Sequence, residues 1–83
     1  MAAPRFVYGL RSDTQGLHFY VGVTGDVAAR IAAHNAGESP HTAKYRPWRL
    51  VVAIEFPTSE RAIDFERYLK SGSGRAFAKR HFI

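Results

Sequence analysis

Apolar and polar residues alternate with period two near the start of the chain. In Arg5-Phe6-Val7-Tyr8-Gly9-Leu10-Arg11, residues Phe6, Tyr8 and Leu10 fall on one face of a strand. Ser12 to Gly16 are turn formers, with Asp13 and Gly16 in a polar cluster. His18 to Thr24 is a second aromatic and β-branched run at hairpin distance, so the two segments are expected to pair antiparallel. Gly25 and Asp26 end that strand, and the Asp26 carboxylate is suited to accept the unpaired amide hydrogens of a helix's first turn. Alanine-rich Val27 to Ala36 favours a helix, stopped at Asn35-Ala36-Gly37 by a glycine able to turn left-handed. Glu38 to Trp48 contains Ser39, Pro40, Thr42 and Pro47 and reads as a surface excursion. Arg49 to Phe56 then gives a third strand with Leu50, Val52, Ile54 and Phe56 on one face. Pro57-Thr58-Ser59 supplies a cap for a helix over Glu60 to Lys70, lined by Ala62, Phe65 and Leu69 with Ile63 beside them. Ser71-Gly72-Ser73-Gly74 breaks it, and Arg75 to Phe82 forms a last short helix. The order β-β-α-β-α-α predicts an α+β fold, an antiparallel sheet flanked by helices.

Length and composition narrow what such a fold would do. The chain has 83 residues, enough for a single domain over 1–83 with one thin core, so any site is expected at the surface. Its longest apolar run, Leu50 to Ile54, is far short of the roughly 20 residues of a membrane span. No charged-then-apolar leader opens the sequence, and the expectation is a soluble, cytoplasmic protein with no membrane association. Cysteine is absent, which excludes a disulfide framework and a thiolate zinc site. A net charge of +5 fits a partner that is a polyanion, with nucleic acid the commonest. Five of the basic residues (Arg67, Lys70, Arg75, Lys79 and Arg80) fall in one C-terminal stretch without an acidic residue.

Four groups of residues carry candidate chemistry. Tyr8 and Tyr20 lie on strands expected to pair, so their hydroxyls can converge, and Gly22 nearby would let a large ligand approach the backbone. Arg30 and His34 stand at i and i+4 on one helix face, offering a phosphate-gripping fork and a proton carrier active near neutral pH. Glu66 is placed to serve as a magnesium ligand, since Mg²⁺ accepts one or two carboxylates when water and phosphate complete its shell. Thr42, Lys44, Tyr45, Arg46 and Trp48 form a basic and aromatic cluster suited to a nucleic-acid backbone and to base stacking, with Trp48 equally suited to anchoring the core. Singly, each has a plainer reading, as strand packing, a wet surface pair or a solvated carboxylate. The four histidines lack zinc-ligand spacing, and neither a phosphate-cradling glycine loop nor a serine elbow is present.

In order along the chain, these pieces resemble the GIY-YIG nuclease family, in particular its small stand-alone members, which look like the N-terminal nuclease module of the excinuclease C subunit. Phe6-Val7-Tyr8 stands where the first motif would be, with Phe6 in place of its glycine, and Tyr20-Val21-Gly22 where the second would be. Thr24-x-Asp26, Arg30, His34-Asn35-x-Gly37, Thr42-x-Lys44-x-Arg46-Pro47-Trp48 and Glu66-x-x-x-Lys70-Ser71 continue the pattern to nearly the end of the chain. The resemblance implies a three-stranded antiparallel sheet and metal-dependent endonuclease activity, hydrolysing phosphodiester bonds in DNA with one divalent ion, Mg²⁺ or Mn²⁺, at Glu66. Arg30 would stabilise the charge that builds on the phosphate, and either a tyrosine hydroxyl or His34 would be the base.

Lys44, Arg46, Arg49, Lys70 and Arg75 would hold the nucleic-acid backbone on either side. Sequence specificity is expected to be low, with a partner protein or a homodimer supplying any targeting; the substrate is DNA or RNA, with single-stranded and branched DNA among the forms left open. Repair, defence, DNA uptake and recombination all remain open as settings. The alternative reading is a nucleic-acid-binding module of the same fold without useful turnover.

Overall fold

The computed structural model describes residues 3–14 and 18–83. In chain order its elements are β1 (Phe6–Ser12), β2 (Phe19–Thr24), α1 (Val27–Asn35), α2 (Pro40–Ala43), β3 (Trp48–Glu55), α3 (Ser59–Lys70) and α4 (Gly72–His81). The strands form an antiparallel sheet in the order β2-β1-β3, which makes the first strand the central one. Both edges of β1 are therefore paired, and both of its faces are covered as well. Val7 joins Val21, Ala62, Leu69 and Ala78 in a core against α3 and α4, while Tyr8 and Leu10 join Trp48 on the opposite face. The expected face of Phe6, Tyr8 and Leu10 is only half of what this strand buries.

Local chemistry sets most boundaries where the pattern predicts them. The Asp26 side chain accepts from the Ala29 amide at the start of α1, and Thr58 does the same for Arg61 at α3. Each such cap stabilises by about 1 kcal/mol. Gly37 ends α1 at φ 79°, a backbone angle that a β-carbon would strain. Gly16, expected in the hairpin turn, lies outside the described residues.

Three expectations are corrected. Glu38 to Trp48 is not irregular throughout: Pro40 sits in the first turn of the short helix α2, where its missing N–H is no loss, so the element order is β-β-α-α-β-α-α. Residues 72–74 do not separate the last two helices but form the first turn of α4. The Ser71 hydroxyl accepts from the Gly74 amide, and a β-carbon at Gly74 would run into the Tyr68 carbonyl, so glycine is what allows α4 to start directly behind α3. Leu50 leaves the face of Val52, Ile54 and Phe56. Gly9 pairs with Val52 but Leu10 pairs with Leu50, so a bulge at Val51 shifts the alternation by one residue. Leu50 then falls on the Trp48 side, 40% exposed. No helix among the described residues is long and apolar enough to cross a membrane.

Candidate active site

Tyr8 is fixed by its place in the central strand. It pairs with Gly22 across β1 and β2, and a β-carbon on Gly22 would come within 2.5 Å of the Tyr8 hydroxyl. Gly22 thus makes room for a side chain of this protein, a reason for glycine that strand pairing alone does not reveal. Released from that clash, the Tyr8 ring lies 99% buried and its hydroxyl is 3.0 Å from His34 Nε2. Tyr20 pairs with Leu10 and so shares the Tyr8 face, its ring 6.2 Å from Tyr8 and edge-on to His34 at 4.8 Å. The two tyrosines and the histidine converge as the sequence pattern anticipates.

His34 is not a wet surface residue. It is the one buried residue of α1, and its other ring nitrogen, Nδ1, is 2.8 Å from the hydroxyl of buried Thr42. That partner comes from α2, whose position is fixed from behind: the Trp48 indole N–H donates to the Thr42 carbonyl at 2.9 Å. Asn35, next to His34, accepts from the Trp48 amide at 2.6 Å and donates to the Trp48 carbonyl at 3.1 Å. Trp48 is therefore a buried anchor that ties α1, α2 and β3 around His34. Sequence reading placed Thr42 in the nucleic-acid cluster and gave Asn35 no separate role. Both act across turns, where no helical or strand period exposes a pairing.

Burial and Arg30 set the electrostatics. Burial pushes the Tyr8 hydroxyl above its ordinary pKa, opposed by the Arg30 guanidinium through hydrogen bonding and charge. Burial likewise lowers the pKa of His34, and the charge of Arg30 adds to the effect. At neutral pH the pair is a neutral phenol beside a neutral imidazole, with a guanidinium bearing on both. Arg30 and His34 also line a small pocket of about 160 Å³ with Glu38 and Ser39.

Glu66 comes from α3, in the layer on the other face of the sheet. Its carboxylate pairs with Lys70 at 2.7 Å, and its side chain is 19% exposed. Edge strand β2 is where the two layers meet. A groove of about 790 Å³ runs along it, bounded by Tyr20 and His41 on one side and by Lys70, Arg75 and Lys79 on the other. Among the described residues no group of three or more His, Cys, Asp or Glu forms a metal cage. A single, largely sheltered carboxylate is nevertheless compatible with a hard divalent ion that keeps several waters and takes its remaining oxygens from a phosphate.

The remaining basic candidates divide. Lys70 and Arg75 line the groove, and Lys44 lines a second cleft beside Tyr20. Arg46 is committed to the fold: its Nε donates to the Ala43 carbonyl at 2.7 Å, and its guanidinium packs where a β-carbon of Gly37 would be. Arg49 pairs with Asp13 at 2.8 Å on an exposed surface near the start of β3.

Residues 4–80 match the family model of the GIY-YIG catalytic domain. The chain belongs to the GIY-YIG nuclease family. Its fold is similar to the solution structure of the UPF0213 protein BH0048 from Bacillus halodurans, with TM-score 0.56 and 33% identity over 93% of this chain and 81% of that one. A UPF0213 protein of Cupriavidus pinatubonensis is 33% identical over 67 residues, 80% of this chain and 74% of that protein. The structure-specific endonuclease subunit SLX1 of Scheffersomyces stipitis is 40% identical over 67 residues, 72% of this chain but 20% of that protein. The chain thus spans about a fifth of the length of the SLX1 relatives it matches. What it shares with them is a catalytic domain of the GIY-YIG endonuclease type.

Proposed function

We propose that this GIY-YIG domain hydrolyses phosphodiester bonds in DNA, with low sequence preference and with a divalent cation, Mg²⁺ or Mn²⁺, held by Glu66. The observation that carries the reading is the buried contact between the Tyr8 hydroxyl and His34 Nε2, with Arg30 acting on both. Hydrolysis at phosphorus needs a proton acceptor for water and a cation beside the oxygens that gather charge. A raised Tyr8 pKa argues against a standing phenolate, whereas a lowered His34 pKa keeps the imidazole free to accept. His34 is therefore the proton acceptor. As the water oxygen forms its bond to phosphorus, its proton moves to the Tyr8 oxygen and the Tyr8 proton moves to His34 Nε2. The bond to the leaving 3′ oxygen breaks and that oxygen takes up a proton from solvent water, while Arg30 offsets the charge on the phosphoryl oxygens, and Tyr20 orients the water. The divalent ion, when bound, supplies electrophilic stabilisation of the leaving oxygen.

SLX1 is described as a structure-specific endonuclease subunit. Carried to this chain, that description favours DNA with single-stranded or branched character, and a partner protein or second copy that selects the site. The test is a cleavage panel over single-stranded, flap, nicked and duplex DNA with Mg²⁺, Mn²⁺ or a chelator. Metal-dependent products are expected, with Glu66→Ala and Arg30→Ala each slowing cleavage about a hundredfold or more. An absence of product from every substrate at micromolar enzyme, or full activity in Glu66→Ala, would overturn the reading.

A further inference from the structure

Beside the candidate active site is a second concavity that the hydrolytic chemistry does not use. It is a cleft of about 280 Å³ whose walls include His18, Tyr20, His41, Lys44, Tyr45 and Trp48. Four of these six side chains carry an aromatic face that the fold holds in place. His18 and Tyr45 stack with centroids 3.8 Å apart, Tyr45 meets Trp48 edge-on at 6.2 Å, and Tyr20 lies 6.3 Å from Trp48. Lys44 places its ammonium 5.3 Å from the centre of the Tyr45 ring, putting a cation at a largely aromatic site that Thr42 also lines. Tyr20 is common to this cleft and to the Tyr8–His34 cluster, and Tyr20 and His41 are common to the cleft and the basic groove.

We propose that this cleft seats one unpaired nucleobase of the strand being cut, in the nucleotide next to the scissile phosphate. The proposal rests on the nuclease reading above and adds to it the form of the substrate. A flat π-face is what every base offers regardless of identity, so aromatic walls select for an unpaired base without selecting its sequence. Lys44 then meets the phosphate attached to that nucleotide, and the strand continues into the groove past Lys70 and Arg75. In a duplex the same base is stacked and paired, and seating it requires breaking both contacts. The cleft therefore favours single-stranded segments, flaps and frayed ends.

The experiment has two independent readouts. Trp48 is the single tryptophan of the chain and lines the cleft, so its fluorescence reports occupancy without any turnover. A short single-stranded oligonucleotide is compared with an abasic sugar-phosphate oligomer of equal length and charge, at fixed salt and with chelator present. The base-bearing strand is expected to quench Trp48 and to bind about five- to a hundredfold more tightly. Tyr45→Ala and, separately, His18→Ala should remove most of that difference in protein shown by its melting profile to be folded at the assay temperature, while Tyr45→Phe keeps it. In the second readout, the cleavage ladder of a strand carrying one internal abasic residue should show a gap at the flanking bonds. Equal binding of the two oligomers, or a ladder that runs evenly through the abasic position, overturns the proposal. Base-dependent quenching without cleavage of any substrate would instead uphold the cleft and overturn the nuclease reading.

Discussion

At the scale of single residues, His34 is governed by a tautomer. For Nε2 to accept a proton from Tyr8, Nδ1 must carry the ring hydrogen and donate it, and its partner 2.8 Å away is the Thr42 hydroxyl. On the proposed mechanism Thr42 is thus a positioning residue. Thr42→Val keeps the shape and removes the oxygen, which leaves a buried N–H unpaired and favours the tautomer that turns Nε2 into a donor. Turnover is expected to fall about ten- to a hundredfold at unchanged KM, and Thr42→Ser should recover most of it. The pH dependence carries a sign that follows from burial. The pKa of His34 is lowered in the folded protein, so kcat holds at neutral pH and declines only as the medium becomes acidic enough to protonate the buried ring. In the same direction, below about pH 6.5 the unfolded chain takes up the histidine proton before the folded one does, and stability falls with pH there. A steady-state pH profile of wild type, Thr42→Val and Thr42→Ser checks the assignment. A Val variant with wild-type kcat would remove Thr42 from it.

Among elements, the decisive join is between the end of α1 and the start of β3. Asn35 pairs with both the N–H and the C=O of Trp48, much as a neighbouring strand would, and Trp48 in turn holds α2 through the Thr42 carbonyl. Asn35→Ala removes two hydrogen bonds at a partly buried site, at a cost of about 1–2 kcal/mol. In a domain of this size that corresponds to a fall in Tm on the order of 5–15 °C, measurable by thermal melting, with Asn35→Asp expected to lose about half as much. An unchanged Tm in Asn35→Ala would mean that water replaces the clamp. This join also marks the limit of what the sequence makes legible. Each strand and each long helix is visible in it because periods of two and 3.6 repeat within one element, and Asp26, Thr58 and Gly37 announce their own roles locally. Tyr8, Tyr20, Arg30 and His34 follow from strand pairing and helical spacing. The Val51 bulge and the bonds from Thr42 and Asn35 depend on contacts between elements. So does Gly22, whose missing side chain makes room for Tyr8 from the neighbouring strand.

For the molecule as a whole, the surplus of positive charge becomes a surface with direction. Arg75 and Lys79 project from α4 into the groove along β2, and among the described residues neither has the kind of carboxylate partner that occupies Lys70. Each phosphate neutralised by such a side chain releases condensed counterions, so the logarithm of the binding constant for a single strand falls with the logarithm of salt at about 0.7 per contact. Replacing both with glutamine in Arg75→Gln/Lys79→Gln is expected to flatten that slope by about 1.4, weakening binding alike for all sequences and raising KM without lowering kcat. Arg5→Gln serves as the control, because Arg5 pairs with Glu55 at 2.9 Å and lines none of the three cavities beside Tyr20 and His34. It removes the same kind of charge and should leave the slope where it was. Binding titrations with chelator present across a range of salt separate the two cases. If the double substitution and the control flatten the slope equally, the protein attracts DNA by its net charge rather than through the groove, and the strand path along β2 has to be abandoned.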